Sequence, residues 1–261
     1  MSMKRKYQNM RKRPKFQNSV EVNMKGFLCS CDSREKDCVR EAYNILNKYA
    51  DTLWPTATAD GMHSDDVADM NPDNVVEANP DDVAGTLEME LARMRHRKHR
   101  FQVIDSGAKN ILFIKTSVED PVKLAHHILQ EIYDHKQQET RFLIRLIPVE
   151  TVCKAYIKDI EKAFEPLCAR YFSGEAQTFS VVFNHRNNDS VARDETIALL
   201  ADHVSKTGRD CNIEHKVDLK NAQVSILVEI IRSFAFLAVV PNFCKFKKYN
   251  LLAFNCDDNE E

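Results

Sequence analysis

The stretch HKVDLKNAQVSILVEIIRSFAFLAVVPNFCKFKKYNLL, residues 215–252, decides both the fold and the class of partner. It begins with a polar turn rich in Lys and Asn and continues as two apolar runs, 224–231 and 234–240, that predict β-strands. Since both runs are almost continuously apolar, they predict a sheet that is covered on both faces. The lysines that flank the strands at both ends favour a surface that binds the backbone of a nucleic acid.

The charge of the chain is distributed unevenly, although its formal net charge is only −2. Residues 1–15 contain seven Lys or Arg and no acid, and residues 55–91 contain ten Asp or Glu and no Lys or Arg. Residues 92–256 contain 25 basic and 19 acidic side chains, so the part that we expect to fold is basic. The near-neutral total therefore does not exclude a nucleic-acid partner.

The N-terminal half of the 261 residues predicts a basic arm and a ferredoxin-like module. We expect a disordered arm over 1–22, which is either a nuclear-targeting or RNA-touching segment or a solvated tail without a role. The module, 23–135, contains a strand, a helix to about residue 52 with Asp32 and Glu35 at capping-box spacing, two strands, and a helix that begins at Asp120 and Pro121. This β–α–β–β–α order resembles half or more of a ferredoxin-like sandwich.

An acidic insertion, 55–90, interrupts this module and contains NPD twice. Its low hydrophobicity and like charges predict disorder; the alternative is that it folds back onto the basic face and competes with RNA. A second module, 140–252, begins with the strand RFLIRLIP, and we expect a helix capped by Thr151 and broken at Pro166. An acidic tail, 253–261, follows, and the predicted fold class is α+β.

Several enzyme classes are disfavoured by the composition. The six glycines are never closer than 22 residues, whereas dinucleotide and methyl-donor loops need clustered glycines. None of the eight cysteines forms a C-x-x-C pair, which disfavours a zinc ribbon. His127, Glu131 and His135 could hold a metal on one helix face or form a solvated face, and the missing H-E-x-x-H pattern favours the second. We expect no catalytic residue, no cofactor and no metal.

No apolar run approaches the roughly 20 residues that a membrane helix needs. The longest apolar stretch, 224–240, is interrupted by Glu229, Arg232 and Ser233. We therefore expect no membrane partner.

Basic and amide side chains cluster in several predicted loops of the C-terminal half. Arg can bind phosphate oxygens with two N–H groups, and Asn can donate to phosphate or contact a base edge. Phe246 and Tyr249 could stack on bases, although Phe246 could instead belong to the core. If these loops emerge on one surface, they would form an RNA-binding site that consists of Arg141, Arg145, Arg186, Asn187, Asn188, Arg193, Lys216, Lys220, Asn221, Lys245, Lys247 and Lys248.

Four segments of the chain resemble the RNA-binding THUMP domain. They are RFLIRLIPVE, FNHRNN with Arg193, KVDLKNAQVSILVEII, and the exit Phe243-x-x-Phe246-x-Lys248-Tyr249-Asn250-Leu251. The segment 26–51 is similar to the one that precedes this domain in THUMP-containing tRNA acetylation adaptors, a eukaryotic family of non-catalytic partners of the RNA cytidine acetyltransferase. The resemblance covers most of the chain outside the arm, the insertion and the last residues.

The resemblance implies an adaptor that is not itself an enzyme. Such adaptors bind tRNA and help the RNA cytidine acetyltransferase make N4-acetylcytidine in the D arm of serine and leucine tRNAs, with no small-molecule substrate of their own. The basic arm permits entry into the nucleus, and we expect a nuclear location, in particular the nucleolus. Two alternatives stay open: a THUMP-containing RNA-modifying enzyme with a cryptic active site, and a protein-interaction scaffold.

Overall fold

The structure is a computed structural model that describes residues 19–55 and 100–254. Within these residues the chain forms two β-sheets and four α-helices. The first module contains, in chain order, β1 (Gly26–Cys31), α1 (Glu35–Leu53), β2 (Phe101–Asp105), β3 (Ile111–Thr116), α2 (Pro121–His135) and β4 (Leu143–Val149). Its four strands form the first sheet in the order β2-β3-β1-β4, and all neighbouring strands are antiparallel.

The first sheet has the ferredoxin-like topology that the sequence predicts, and β4 completes it. The strand RFLIRLIP was expected to open the second module, and this assignment was wrong. Residues Leu143–Val149 instead pair with β1 along its whole length, from Gly26 opposite Val149 to Cys31 opposite Leu143. A ferredoxin-like sheet needs a fourth strand beside β1, and the largely apolar sequence LIRLIPV of β4 fills that place.

The second sheet has the order β5-β9-β8-β6-β7. Strand β6 is parallel to β7 and β8, whereas β9 is antiparallel to β5 and β8. Its elements, in chain order, are β5 (Thr151–Lys154), α3 (Ile157–Phe172), β6 (Thr178–Arg186), α4 (Arg193–Asp210), β7 (Lys216–Val217), β8 (Val224–Ile231) and β9 (Phe234–Pro241). An antiparallel first sheet, a second sheet with parallel and antiparallel strands, and four helices together confirm the α+β class.

The second sheet is covered on both faces, as its apolar strands predict. On β8, Ile226 and Val228 pack into the core beneath α3 and α4. The alternate residues Leu227 and Ile231 belong instead to the core that is shared with the first sheet. The rings of Phe113 on β3 and Phe236 on β9, 5.2 Å apart, join the two sheets. Because β8 and β9 have two apolar faces, they lie at the centre of the molecule.

The helix boundaries confirm one predicted N-cap and contradict two other predicted N-caps and one predicted helix break. Asp120 caps α2 by accepting from the N–H of Lys123, with Pro121 at the first helical position. The capping box at Asp32 is wrong, since α1 begins at Glu35, whose side chain accepts from the N–H of Asn110. Thr151 lies in β5 and caps no helix. Pro166 does not break its helix, because α3 continues to Phe172 with Phe164 and Leu167 buried on either side of it.

The last described residues return to the first sheet. The N–H of Leu146 donates to the carbonyl of Tyr249, and the N–H of Leu251 donates to the carbonyl of Ile144. Residues 249–251 therefore run along the outer edge of β4, and Phe254 is buried in the core shared by the two sheets.

Most of the predicted arm, most of the acidic insertion and most of the acidic tail lie outside the described residues. Of the arm, residues 19–22 are described, and Val20 is buried in the shared core, so the packed chain begins earlier than expected. Among the helices of the described part, none is long and apolar enough to cross a lipid bilayer.

Candidate nucleic-acid interface

A cleft of ≈ 280 Å³ lies between the two sheets, where β1 and β4 diverge from β6 and β8. Three of the predicted RNA contacts line it: Arg145 from β4, Arg186 from the end of β6, and Arg193 from the start of α4. All three side chains are exposed. Since they come from two sheets and a helix, the packing of the two sheets is what brings these cations together.

Strand register explains why Arg186 points into this cleft. Asn184 lies opposite Glu229, and Arg186 lies opposite Ile231, in the parallel pairing of β6 and β8. Alternate residues of a strand point to the same face, so Asn184 and Arg186 share a face with Glu229. Nδ2 of Asn184 donates to Oε1 of Glu229 over 2.7 Å. The face that carries them is the one that looks toward the first sheet.

Glu229 is the one acidic side chain among the residues that line this cleft. Burial raises the pKa of Glu229, and the hydrogen bond from Asn184 and the charges of Arg186 and Arg145 oppose that rise. Arg145 and Arg186 are therefore close enough to lower the pKa of this carboxyl group.

The two asparagines after Arg186 shape the loop at the mouth of the cleft. Asn187 has φ 56°, in the left-handed region that Asn tolerates better than most residues. The side chain of Asn188 donates to the carbonyl of Arg232 and accepts from the N–H groups of Ser190 and Val191. Its amide is thus engaged within the protein, which gives Asn188 a structural role in addition to any contact with RNA.

A second set of predicted contacts lies at the opposite end of the sheet. Lys216 pairs with Thr178, the first residue of β6, whereas Arg186 is the last residue of that strand. Eight steps along a strand span about 26 Å at about 3.3 Å per residue. Lys220 and Asn221 lie near the same end, in a turn where their N–H groups donate to Oδ1 of Asp218. The predicted residues therefore do not converge on one site.

The lysines after β9 also lie at this second end, because Pro241 pairs with Val224. Nζ of Lys245 lies 4.9 Å from the ring centre of Tyr133 on α2. Lys247 and Lys248 are exposed and have φ values of 48° and 60°, in the left-handed region. The turn thus presents both side chains to solvent.

The two aromatic residues of this turn belong to the core of the protein. Phe246 and Tyr249 are both 0% exposed and belong to the shared core. The hydroxyl of Tyr249 donates to the carbonyl of Pro241 over 3.0 Å. The stacking alternative for these residues is therefore wrong, because neither ring has a free face.

Arg141 lies two residues before the start of β4, outside the residues that line the cleft. The carboxylate of Glu41 on α1 accepts from the backbone N–H groups of Arg141, Phe142 and Leu143. The guanidinium of Arg141 lies 5.3 Å from the ring centre of Phe142. This arrangement fixes the segment that leads into β4, and Arg141 lies apart from the three cleft arginines.

Comparison with known proteins identifies the domain that contains the second sheet. The THUMP domain family matches residues 154–240, from the last residue of β5 to the penultimate residue of β9. The THUMP domain-containing protein 1 homolog of Drosophila melanogaster is 40% identical over 245 residues, which cover 89% of this chain and 74% of that protein. The chain belongs to the THUMP domain-containing protein 1 family.

Two other known proteins are similar to parts of this chain. A solution structure of the THUMP domain of THUMP domain-containing protein 1 is 37% identical in sequence to this chain, with a TM-score of 0.29. The aligned part covers 33% of this chain and 86% of the chain in that structure. The tRNA acetyltransferase TAN1 of Saccharomyces cerevisiae is 27% identical over 165 residues, which cover 59% of this chain and 56% of that protein. The chain spans 63–65% of the length of the mammalian relatives named THUMP domain-containing protein 1.

The cleft of this THUMP protein lies at the boundary of the matched domain. Arg186 and Arg193 belong to the THUMP domain, whereas Arg145 belongs to the preceding module. Of the polar residues that line the cleft, the predicted set omitted Ser30, Asn184, His185 and Glu229. Asn184 and Glu229 both stand in segments that carry the THUMP resemblance. Their strand alternation was the available signal. Among residues 19–55 and 100–254, no group of three or more His, Cys, Asp or Glu could hold a metal ion.

Proposed function

We propose that this protein is a tRNA-binding adaptor that presents tRNA to an RNA cytidine acetyltransferase. The modification would be N4-acetylcytidine in the D arm of serine and leucine tRNAs. The observation that carries the proposal is the cleft between the THUMP domain and the preceding module, where Arg145, Arg186 and Arg193 come together. Membership of a THUMP family and the name of the yeast relative, which refers to tRNA acetylation, support it.

In this proposal the protein acts by positioning. Arginines of the cleft bind phosphate oxygens, often with two parallel N–H donors, and fix the orientation of the RNA. Recognition rests mainly on shape, because the deep and narrow major groove of an A-form helix hides base edges. The lysines at the far end of the second sheet would contact the same RNA about 26 Å away. The acetyltransferase supplies the chemistry.

A second candidate function is catalysis by this chain itself. The word acetyltransferase in the name of the yeast relative is the observation that favours it. The spacing of the glycines opposes it, since no two of the six are closer than 22 residues. Nucleotide and methyl-donor cofactors are bound by loops in which glycines are only a few residues apart. We therefore favour the adaptor.

Reconstitution separates the two candidates. Purified chain, a serine tRNA and a labelled acetyl donor are incubated with and without the acetyltransferase, and acetylcytidine is measured. The adaptor predicts no product from the chain alone and more product with both proteins than with the acetyltransferase alone. Product from the chain alone would overturn the proposal, and so would an acetyltransferase that gains nothing from the chain.

A scaffold without RNA affinity would also increase product in that assay, so tRNA binding is measured separately. The Arg186→Glu, Lys216→Glu double variant reverses one charge at each end of the second sheet. The adaptor predicts a large loss of tRNA affinity in a gel-shift titration. Unchanged tRNA affinity together with lost binding of the acetyltransferase would support the scaffold.

We also propose a nuclear location, in particular the nucleolus, from the seven basic residues in positions 1–15. Fluorescent fusions with and without residues 1–15 test this. Equal distribution of both fusions between nucleus and cytoplasm would contradict a targeting role.

A further inference from the structure

A groove of ≈ 440 Å³ lies at the end of the second sheet that is remote from the three arginines. Val224 and Pro241, which pair at the start of β8 and the end of β9, belong to its lining. Leu53, Val122 and Tyr171 join them from α1, α2 and α3. We call this the α2 groove. An apolar surface of this kind, to which three helices and a sheet contribute, marks a site of interaction.

Positive charge flanks the α2 groove. Lys123 lines it and is exposed, with Nζ 5.9 Å from the ring centre of Trp54. His126 also lines the groove, and burial and the charge of the exposed Lys245 lower its pKa, which places Lys245 nearby. Asp120, the one acid of the lining, accepts through Oδ1 from the backbone N–H of Lys123. The groove therefore fits a ligand that combines apolar side chains with acidic ones.

The acidic insertion has this chemistry and is attached beside the groove. The described part of the chain breaks off after Pro55, two residues beyond Leu53, and resumes at Arg100. The guanidinium of Arg100 pairs with Asp51 over 2.9 Å, so both points of attachment lie near the end of α1. Residues 71–83, NPDNVVEANPDDV, contain four acids, three valines and no basic side chain.

Covalent attachment favours this segment over a separate partner. Val75 follows Pro55 by only 20 residues. A ligand on a short linker has an effective concentration on the order of millimolar at its binding site. A second copy of the chain, or another protein at micromolar concentration, would need about 1000-fold higher affinity to displace it.

We propose that residues 71–83 of the acidic insertion dock in the α2 groove of the same chain. Val75 and Val76 bury apolar surface against the lining of the groove, which removes that surface from water. The carboxylates on either side of them lie beside Lys123 and Lys245.

This docking has a consequence for RNA binding, and the consequence rests on the proposed function. The proposed function assigns the lysines at this end of the second sheet to RNA, and Lys245 is one of them. Carboxylates beside Lys245 repel phosphates. The docked segment and tRNA therefore compete for this end of the protein, whereas the arginine cleft at the other end is not involved.

A carbodiimide, which joins carboxylates directly to lysine amines, tests the docking in the full chain. We expect cross-links from Lys123 and Lys245 to acids of residues 71–83 within the monomer, at a yield independent of protein concentration. Lys115 is the matched control, since it is exposed and lies opposite Gln102, close to the other point of attachment. Equal yields at Lys115 and Lys123, or cross-links that join two chains, would overturn the inference.

The Val75→Ser, Val76→Ser double variant removes the apolar contacts and leaves every charge in place. The yield at Lys123 should fall at least about threefold, because less apolar surface is buried. Trp54 is the only tryptophan of the chain, and its fluorescence should shift to longer wavelength as water enters the groove. Val67→Ser, elsewhere in the insertion, is the control and should leave both signals unchanged. A double variant with the wild-type yield would overturn the docking.

Addition of tRNA separates this inference from the proposed function. If tRNA binds, the yield at Lys245 should fall, and an unchanged yield would overturn the competition. If tRNA does not bind, the proposed function fails, while the cross-links still decide whether the segment docks. Thermal unfolding of each variant verifies that it is folded.

Discussion

The carboxylate of Glu150 and the guanidinium of Arg170 form an ion pair, with 2.7 Å between Oε1 of Glu150 and Nη2 of Arg170. Glu150 lies between β4 and β5, where the chain passes from the first sheet to the second. The hydroxyl of Tyr171 donates to the same oxygen, and the N–H of Val239 donates to the other. One buried carboxylate therefore connects the inter-sheet link, α3 and β9.

Glu150→Gln should change how stability depends on pH. Burial raises the pKa of Glu150 from 4.5, and the Val239 N–H, Arg170 and Tyr171 oppose that rise. Because the folded pKa is the higher one, the contribution of Glu150 to stability is complete below pH 4.5 and is lost as pH rises through the folded pKa. Urea unfolding at several pH values should show that this loss is absent in the variant, at about 1.4 kcal/mol per unit of pKa difference.

The exposed Glu165→Gln change is the control for that experiment and should follow the wild-type pH dependence. A constant difference in unfolding free energy between Glu150→Gln and wild type at all pH values would contradict the raised pKa.

Arg186→Ala should weaken tRNA binding and make it less sensitive to salt. Each lost phosphate contact lowers the slope of log K against log salt by about 0.7–0.9. Lys162→Ala, on the helical layer that faces away from the cleft, removes the same charge and should leave the slope unchanged. Binding isotherms at several salt concentrations measure both slopes. Equal effects of the two changes would indicate a general charge effect without a defined site.

Tyr249→Phe should lower stability slightly and leave RNA affinity unchanged. The change removes the hydrogen bond to the Pro241 carbonyl, which costs about 1 kcal/mol. The ring is 0% exposed and cannot stack on a base. Tyr156→Phe, at a side chain that is 65% exposed, is the control and should alter neither quantity. A loss of tRNA affinity in the Tyr249 variant, beyond its loss of stability, would restore the stacking interpretation.

Pro166→Ala should stabilise the protein. A proline inside a helix cannot donate to the carbonyl four residues earlier, here that of Lys162, and its ring crowds that carbonyl. Proline also restricts the unfolded chain, which offsets part of the gain, so we expect a net increase of about 1–2 kcal/mol. Glu165→Ala at the neighbouring exposed position should stay within about 0.5 kcal/mol of wild type. Thermal unfolding provides the measurement, and a destabilised Pro166→Ala would mean that packing of α3 needs the proline.

The sequence predicted the elements of the fold better than their assignment to sheets. The apolar runs that became β8 and β9 were correct to within a residue at each end, because few other structures bury every side chain of such a run. The place of β4 was missed, because its largely apolar sequence fits either sheet and chain order suggested the second one. Pairing partners depend on contacts between distant segments, which periodicity along the chain does not report.

The candidate site was predicted in part for the same reason. Arg145, Arg186 and Arg193 do line one cleft, although Lys216 lies at the far end of the strand that ends with Arg186. Loop positions in the sequence do not reveal which end of a sheet a loop leaves from. The direction of β6, which is parallel to β8, decides this, and that direction follows from the crossover through α4.

The contact of residues 249–251 with β4 has a consequence for dissection of the protein. A fragment that ends at Val240, where the THUMP match ends, would uncover the N–H of Leu146 and the carbonyl of Ile144. Exposed strand edges of this kind can pair with strands of other chains, which leads to aggregation. Poor solubility of such truncations would therefore result from the uncovered outer edge of β4 and not from a defect of the THUMP domain.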